Sequence, residues 1–85
     1  MKNEWLITFR SVTFAQRGER ALRSRQIPCR MQRTPKYLTE RGCGYCLRLQ
    51  GTDALQAVEI LRREKLAYEK LYAMKEDGST EERAL

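Results

Sequence analysis

Two of the three cysteines, Cys43 and Cys46, lie three residues apart in the segment RGCGYCLRL (41–49). A cysteine acts as a nucleophile through its thiolate, which nearby cations and helix N-termini favour. The segment contains two arginines, and Gly42 and Gly44 leave room for backbone N–H groups to turn toward an anion. The segment therefore predicts Cys43 as a transfer nucleophile and Cys46 as a thiol within reach to resolve it.

A zinc site is the first alternative for these cysteines. A tetrahedral structural site needs four cysteine or histidine ligands, and the chain has three cysteines and no histidine. One chain therefore does not complete such a site, and only a four-cysteine site shared by two copies stays open. The third cysteine, Cys29, is predicted to be a buried core thiol, as free cysteines usually are. We predict no bound metal and no cofactor.

An RNA-binding strand is the second alternative. The third strand of an RRM follows the pattern K/R-G-F/Y-G/A-F-V-x-F/Y, in which aromatic side chains stack on bases. The segment matches the start of this pattern, but Cys43 and Arg48 replace two of the stacking aromatics. Tyr45 remains, and its spacing with Leu47 and Leu49 places it on the face predicted to form the core. RNA binding is the runner-up function.

The composition restricts the class of protein. A chain of 85 residues with 41% hydrophobic and 33% charged residues is typical of one small globular domain. No apolar run reaches the roughly 20 residues of a membrane span, and the low cysteine content suits a reducing compartment. We therefore predict a cytoplasmic protein without membrane contact. Residues 1–50 carry 11 Lys and Arg against 3 acidic residues, whereas residues 51–85 carry 6 against 8, so the first part should attract anions.

The apolar pattern predicts the elements that position the cysteines. WLITFR (5–10) is rich in aromatic and β-branched residues and predicts a strand. Ser11 is a candidate helix N-cap, followed by an apolar helical face from Phe14 to Leu22. The remaining predicted elements are the strands CRMQR (29–33) and YCLRLQ (45–50), the amphipathic helix DALQAVEILRREK (53–65) with Leu55 beside its apolar face, and the strand YEKLYAM (68–74).

This order, βαββαβ, predicts an α+β fold: a ferredoxin-like two-layer sandwich with a four-stranded antiparallel sheet, in a single domain over 1–74. Residues 75–85 are predicted to be a flexible polar tail. Right-handed crossovers bring the N-terminus of the first helix to the same edge of the sheet as the connection between strands two and three. The groups predicted to stabilise an anion at this edge are Arg10, Ser11, Thr13, Arg33, Lys36, Arg41, Gly42 and Gly44.

The face of the sheet opposite the helices is predicted to be open. Leu6, Tyr68 and Tyr72 are candidates for this face, which predicts a homodimer or the docking of a partner enzyme. A third alternative is therefore an adaptor protein without thiol chemistry.

The motifs F-x-S, R-T-P and C-G fall on Phe9, Ser11, Arg33, Thr34, Pro35, Cys43 and Gly44. Through these motifs, and from about Trp5 to Tyr72, the chain resembles the selenium/sulfur (Se/S) carrier protein-like family of small bacterial domains. The resemblance implies a carrier that holds sulfur or selenium on a cysteine, alongside proteins of selenium metabolism, and it adds Thr34 to the anion-stabilising groups. We therefore predict a persulfide or selenopersulfide on Cys43, donor and acceptor proteins as partners, and release by Cys46 through an intramolecular disulfide. Because the chain has no histidine for a hydrolytic triad, we favour a carrier over an enzyme.

Overall fold

The computed structural model describes residues 3–38 and 44–83 of the chain. Within these ranges the fold is α+β, and neither helix is long and apolar enough to cross a membrane. Short 3₁₀ turns at Lys36–Leu38 and Gly51–Asp53 follow the second and third strands. The elements in chain order are β1 (Glu4–Phe9), α1 (Val12–Ser24), β2 (Cys29–Arg33), β3 (Tyr45–Gln50), α2 (Ala54–Arg63), β4 (Leu71–Met74) and β5 (Thr80–Arg83).

The strands form one antiparallel sheet in the order β2-β3-β1-β4-β5. The first four strands and the two helices follow the predicted βαββαβ order, but the prediction of a four-stranded sheet is wrong by one strand. The additional strand, β5, lies within 75–85, where the sequence predicts only a polar tail. It pairs with β4 from Leu71 opposite Arg83 to Met74 opposite Thr80.

A turn at Asp77 and Gly78 produces the β4–β5 hairpin. Gly78 has a φ of +89°, which glycine adopts easily, and its N–H donates to the Lys75 carbonyl at 3.0 Å. Asp77 Oδ1 accepts hydrogen bonds from the hydroxyl and the amide of Ser79 at 2.6 and 2.9 Å, which lower the pKa of the Asp77 carboxyl. Because Asp-Gly is a strong hairpin signal, the extra strand has a local cause in the sequence.

The main core lies between the two helices and one face of the sheet. Ile7, Phe9, Leu47 and Leu49 face it from the two central strands, since alternate strand residues point the same way. Gly18 allows α1 to approach closely, because a Cβ at this position would lie 2.9 Å from Phe9 Cζ. The sequence places Phe14 on the apolar face of the first helix and Leu55 beside that of the second. Both side chains are exposed in the structure, Phe14 at 40% and Leu55 at 60%.

A second, smaller cluster lies on the opposite face of the sheet. It consists of Leu6, Cys46 and Tyr72, from three adjacent strands, which are 1%, 0% and 7% exposed. Leu38 and Met74 pack against these three side chains, and we call the five residues the open-face cluster. Leu6 and Tyr72 therefore lie on the predicted face but are covered within the chain. Contrary to expectation, Tyr68 packs against the main core.

Candidate functional site

Three predicted site residues, Arg41, Gly42 and Cys43, lie outside the described residues. The structure describes the chain on both sides of them, as far as Leu38 and again from Gly44 onward. The candidate site is therefore characterised from the residues around it: the ends of β1 and β2, the start of β3 and the N-terminus of α1.

The strand register brings these elements to one edge of the sheet. Phe9, the last residue of β1, lies opposite Tyr45, the first residue of β3. Tyr45 also lies opposite Arg33, the last residue of β2. The segments that extend from these three residues therefore meet at the same edge. We call this edge, made of Arg10–Thr13, Thr34–Leu38 and Gly44, the loop edge.

Gly44 is held tightly at the loop edge. The Thr34 N–H donates to the Gly44 carbonyl at 3.1 Å, which extends the β2–β3 pairing by one step. Gly44 has a φ of +141°, and a Cβ there would lie 3.4 Å from the Phe9 carbonyl oxygen. The backbone conformation favours glycine, because other residues rarely adopt this φ, and the distance to Phe9 corresponds to ordinary van der Waals contact. Cys43 is thus joined by one peptide bond to a residue packed against the end of β1.

The N-terminus of α1 starts three residues beyond Phe9. Ser11 has extended backbone angles, and its Oγ accepts from the Phe14 N–H at 3.3 Å. This is the N-cap predicted from the sequence. Thr13 lies in the exposed first turn, and no acidic residue occupies that turn. Because a helix N-terminus carries a partial positive charge, this part of the loop edge favours an anion.

Three predicted cations with solvent-exposed side chains lie at the loop edge or, for Arg33, directly beside it. The Arg10 side chain is 79% exposed, and its Nε lies 3.9 Å from a Glu69 carboxylate oxygen. Arg33 and Lys36 are also exposed, and neither forms an ion pair with another described residue. Water and salt weaken exposed charges, so these cations can attract an anion to the edge but do not enclose it.

Cys46 lies in a different environment. Its side chain is fully buried in the open-face cluster. Burial raises the pKa of the Cys46 thiol, and the opposing effects of Thr34, Arg48 and Gln32 are smaller. The Thr34 hydroxyl is itself buried and makes no hydrogen bond of good geometry with another described residue. A buried thiol with a raised pKa is a poor nucleophile, because little thiolate forms and no reagent reaches it.

Cys29 is the core thiol that the sequence predicts. It is 7% exposed, and its Sγ lies 3.9 Å from the Glu19 carbonyl, to which the thiol donates. Burial raises the pKa of this thiol too. Cys29 pairs with Leu49, four residues along β3 from Tyr45, and so lies away from the loop edge. Within residues 3–38 and 44–83, no three His, Cys, Asp or Glu side chains are grouped to hold a metal ion.

The base-stacking platform of an RRM has no counterpart in the described strands. Tyr45, the aromatic that the RRM pattern retained, packs against the main core. Arg48, at the second substituted position, forms an ion pair with Glu4 at 2.6 Å. Tyr72 is the aromatic strand residue in the open-face cluster, and it is only 7% exposed. The described geometry therefore gives RNA stacking no support.

The contribution of Leu38 was not predicted from the sequence. The segment after β2 contains a 3₁₀ turn, which is closed by the Leu38 N–H donating to the Pro35 carbonyl at 2.9 Å. The turn allows Leu38 to pack against the open-face cluster. Pro35 was the available signal for the turn, since proline favours turn conformations, but it does not indicate where the Leu38 side chain packs.

The described residues form a small five-stranded α+β domain, and Gly44 at its loop edge directly follows Cys43 in the sequence. Residues 4–73 match the model of the family described as "Putative Se/S carrier protein-like". The match covers most of the chain, and the chain belongs to this family. No curated protein and no solved structure matches the chain.

Proposed function

We propose that this chain carries sulfur or selenium on Cys43, as a persulfide or selenopersulfide, between a donor and an acceptor protein. Membership of the Se/S carrier protein-like family supports the carrier role. The observation that carries the assignment to Cys43 is the burial of the other two cysteines, Cys29 and Cys46. Free thiols persist in a reducing compartment, so we place this exchange in the cytoplasm.

The proposed loading step is a thiol exchange. The Cys43 thiolate attacks the outer sulfur of a donor persulfide, so that a bond forms between Cys43 Sγ and that sulfur. The sulfur–sulfur bond of the donor breaks, and the donor cysteine leaves as a thiolate. A donor selenopersulfide transfers selenium in the same way. Free selenide is fully reduced, so it loads only if Cys43 is already oxidised in a mixed disulfide, whose partner thiol then leaves.

The loop edge supplies the charge that such a product needs. A persulfide or selenopersulfide is an anion near neutral pH. The Ser11-capped N-terminus of α1 offers a partial positive charge, and the guanidinium of Arg10 and the ammonium of Lys36 add exposed cations. The position of Gly44 against the end of β1 supports the proposal, because it ties the residue after Cys43 to this same edge.

Release through Cys46 needs a further step. The proposed resolving reaction requires the Cys46 sulfur to attack Cys43 and displace the cargo. In the described structure Cys46 is buried within the open-face cluster, and burial raises the pKa of its thiol. Resolution by Cys46 would therefore follow a local opening that withdraws Leu38. Transfer to an acceptor thiol needs no such opening, and we regard it as the simpler route.

The test is intact-protein mass spectrometry of the reduced protein after exposure to a persulfide donor or a selenopersulfide donor. The Cys29→Ala/Cys46→Ala variant, which keeps only Cys43, should gain one sulfur or one selenium atom. Cys43→Ser should gain none. Normal loading of Cys43→Ser, or no loading of any variant, would contradict the proposal.

A further inference from the structure

Two side chains of α1 form hydrogen bonds with the backbone of β2 at the edge of the sheet. β2 is an outer strand of the sheet, and an outer strand presents N–H and C=O groups that a further strand can bind. Natural proteins protect such edges, because an unprotected edge joins copies of the same chain into larger sheets. The question for this protein is how the β2 edge is protected.

Glu19 and Arg23 bind the outward backbone groups of β2. The Met31 N–H donates to Glu19 Oε2 at 3.3 Å. Arg23 donates to the Cys29 carbonyl through Nε at 3.3 Å and through Nη2 at 2.8 Å. The Met31 N–H bonds a side chain and not β3, so it lies on the outer side of β2. The Cys29 carbonyl belongs to a residue two positions earlier in the strand and therefore lies on the same side. A neighbouring strand would use the same carbonyl and the same amide.

The two side chains also support each other. They are four residues apart on α1, and Arg23 Nη2 lies 3.5 Å from Glu19 Oε2. Glutamate preceding arginine at this spacing is the favourable orientation on a helix. The Glu19 side chain is 25% exposed and that of Arg23 is 61% exposed. One acceptor and one donor are thus held at the positions that the edge requires, and we call this pair the edge clasp.

We propose that the edge clasp closes β2 against strand addition, and that the covered surface would otherwise pair with β2 of a second copy of this chain. An antiparallel pair centred on Met31 would place Arg30 opposite Gln32 and Cys29 opposite Arg33. No like charges would then lie directly opposite each other, and the repulsion between the two Arg30 side chains, which would be diagonal neighbours, is screened by salt. At high salt the occupied Cys29 carbonyl and Met31 amide are therefore what prevents the pairing.

The test removes the clasp and measures self-association. Glu19→Ala/Arg23→Ala keeps good helix formers on α1 and frees both backbone groups. The control Arg25→Ala/Glu64→Ala removes another Arg–Glu pair at 3.5 Å, which does not bind the edge. In high salt, which screens the arginines of α1, light scattering across a concentration series should show association at least about tenfold tighter for the clasp variant than for the wild type. The control should behave like the wild type.

Amide hydrogen exchange identifies the surface used. In the clasp variant at low concentration, Met31 N–H should exchange faster than in the wild type, and association should restore its protection. Glu19→Gln is the conservative variant, because its amide oxygen can still accept from Met31, and it should keep the wild-type oligomeric state. If the double variant does not fold, self-association and Met31 exchange are measured on the single variants Glu19→Ala and Arg23→Ala. Unchanged association of a folded clasp variant, or association that leaves Met31 unprotected, overturns the proposal.

Discussion

Gly18 of α1 lies against the ring of Phe9, the last residue of β1: a Cβ at position 18 would be 2.9 Å from Phe9 Cζ. The same Cβ would be 3.3 Å from Leu47 and 3.4 Å from Leu61. This contact sets how closely α1 lies on the sheet. It therefore also affects the distance between the N-terminus of α1 and Gly44, which both belong to the loop edge.

Gly18→Ala should destabilise the protein by about 1 kcal/mol, although alanine is the better helix former by about 1 kcal/mol. Phe9 is only 1% exposed and cannot move aside freely, and overpacking a tight core costs about 1–3 kcal/mol. Urea unfolding measures the difference. A stabilised Gly18→Ala variant would show that α1 can shift away from the sheet at little cost.

Gly44→Ala should impair the thiol at position 43 as well as stability. Position 44 has a φ of +141° and a would-be Cβ at 3.4 Å from the Phe9 carbonyl, whereas Gly78 has a φ of +89° and no atom within 4 Å of its Cβ. Gly78→Ala thus controls for the conformational cost alone, about 1 kcal/mol or more. We expect slower alkylation of Cys43 by iodoacetamide in Gly44→Ala and an unchanged rate in Gly78→Ala. Equal rates in both variants would contradict a positioning role for Gly44.

Ser11→Asn and Ser11→Asp separate helix capping from charge. Both side chains cap helices well, so both variants should stay within about 1 kcal/mol of the wild type in unfolding experiments. Only aspartate adds a negative charge at the loop edge, where the proposed cargo is an anion. Persulfide loading of Cys43 should therefore be slower in Ser11→Asp than in Ser11→Asn, and the difference should shrink in high salt. Identical loading would show that the α1 N-terminus does not act on the cargo.

Cys46→Ala tests whether the second cysteine resolves the first. If Cys46 acts through packing, cargo transfer from loaded Cys43 to an acceptor thiol should proceed at the wild-type rate, while stability falls by about 1 kcal/mol for the lost contacts of the sulfur. Cys29→Ala removes the other buried thiol and is the matched control. Transfer assays with labelled sulfur measure the rate. A strong loss of release in Cys46→Ala alone would establish the resolving role.

The free energy of unfolding should fall as the pH rises above about 9. Burial raises the folded-state pKa of Cys29 and Cys46 above the ordinary value of 9.0. Below that value both the folded and unfolded states keep the protons, so the contribution is constant. Above it the unfolded chain ionises first, and stability is lost until the folded thiols ionise too. Urea unfolding at about pH 8 and about pH 10 should show a smaller loss for Cys29→Ala/Cys46→Ala than for the wild type.

The order of the first six elements could be predicted because each has a strong local signal. Ser11 is an N-cap by residue type, and YCLRLQ alternates as a strand should. β5 was missed because TEER carries no apolar alternation. It is held instead by its hairpin partner and by ion pairs of Glu81 and Glu82 with lysines. The Asp77-Gly78 turn was the available signal.

The site could be predicted less completely, because its contacts are distant in sequence. The register of Phe9, Tyr45 and Arg33 follows from topology, and the sequence predicted that these strand ends would meet. The cluster that buries Cys46 is joined by Leu38, whose packing against the sheet has no sequence pattern of its own. The contact between Glu19 and Met31 joins a helix side chain to a strand amide twelve residues away, and no spacing rule indicates it.

The two outer strands of the sheet differ in how their charges are paired. On the β5 side, Glu81 and Glu82 form ion pairs with Lys75, Arg83 and Lys70 at distances of 2.9–3.7 Å. On the β2 side, Arg30 and Arg33 form no ion pair with another described residue. Arg30 and Arg33 are therefore not offset by an ion-paired carboxylate. An acidic protein that approaches the domain would be attracted to this side of the sheet.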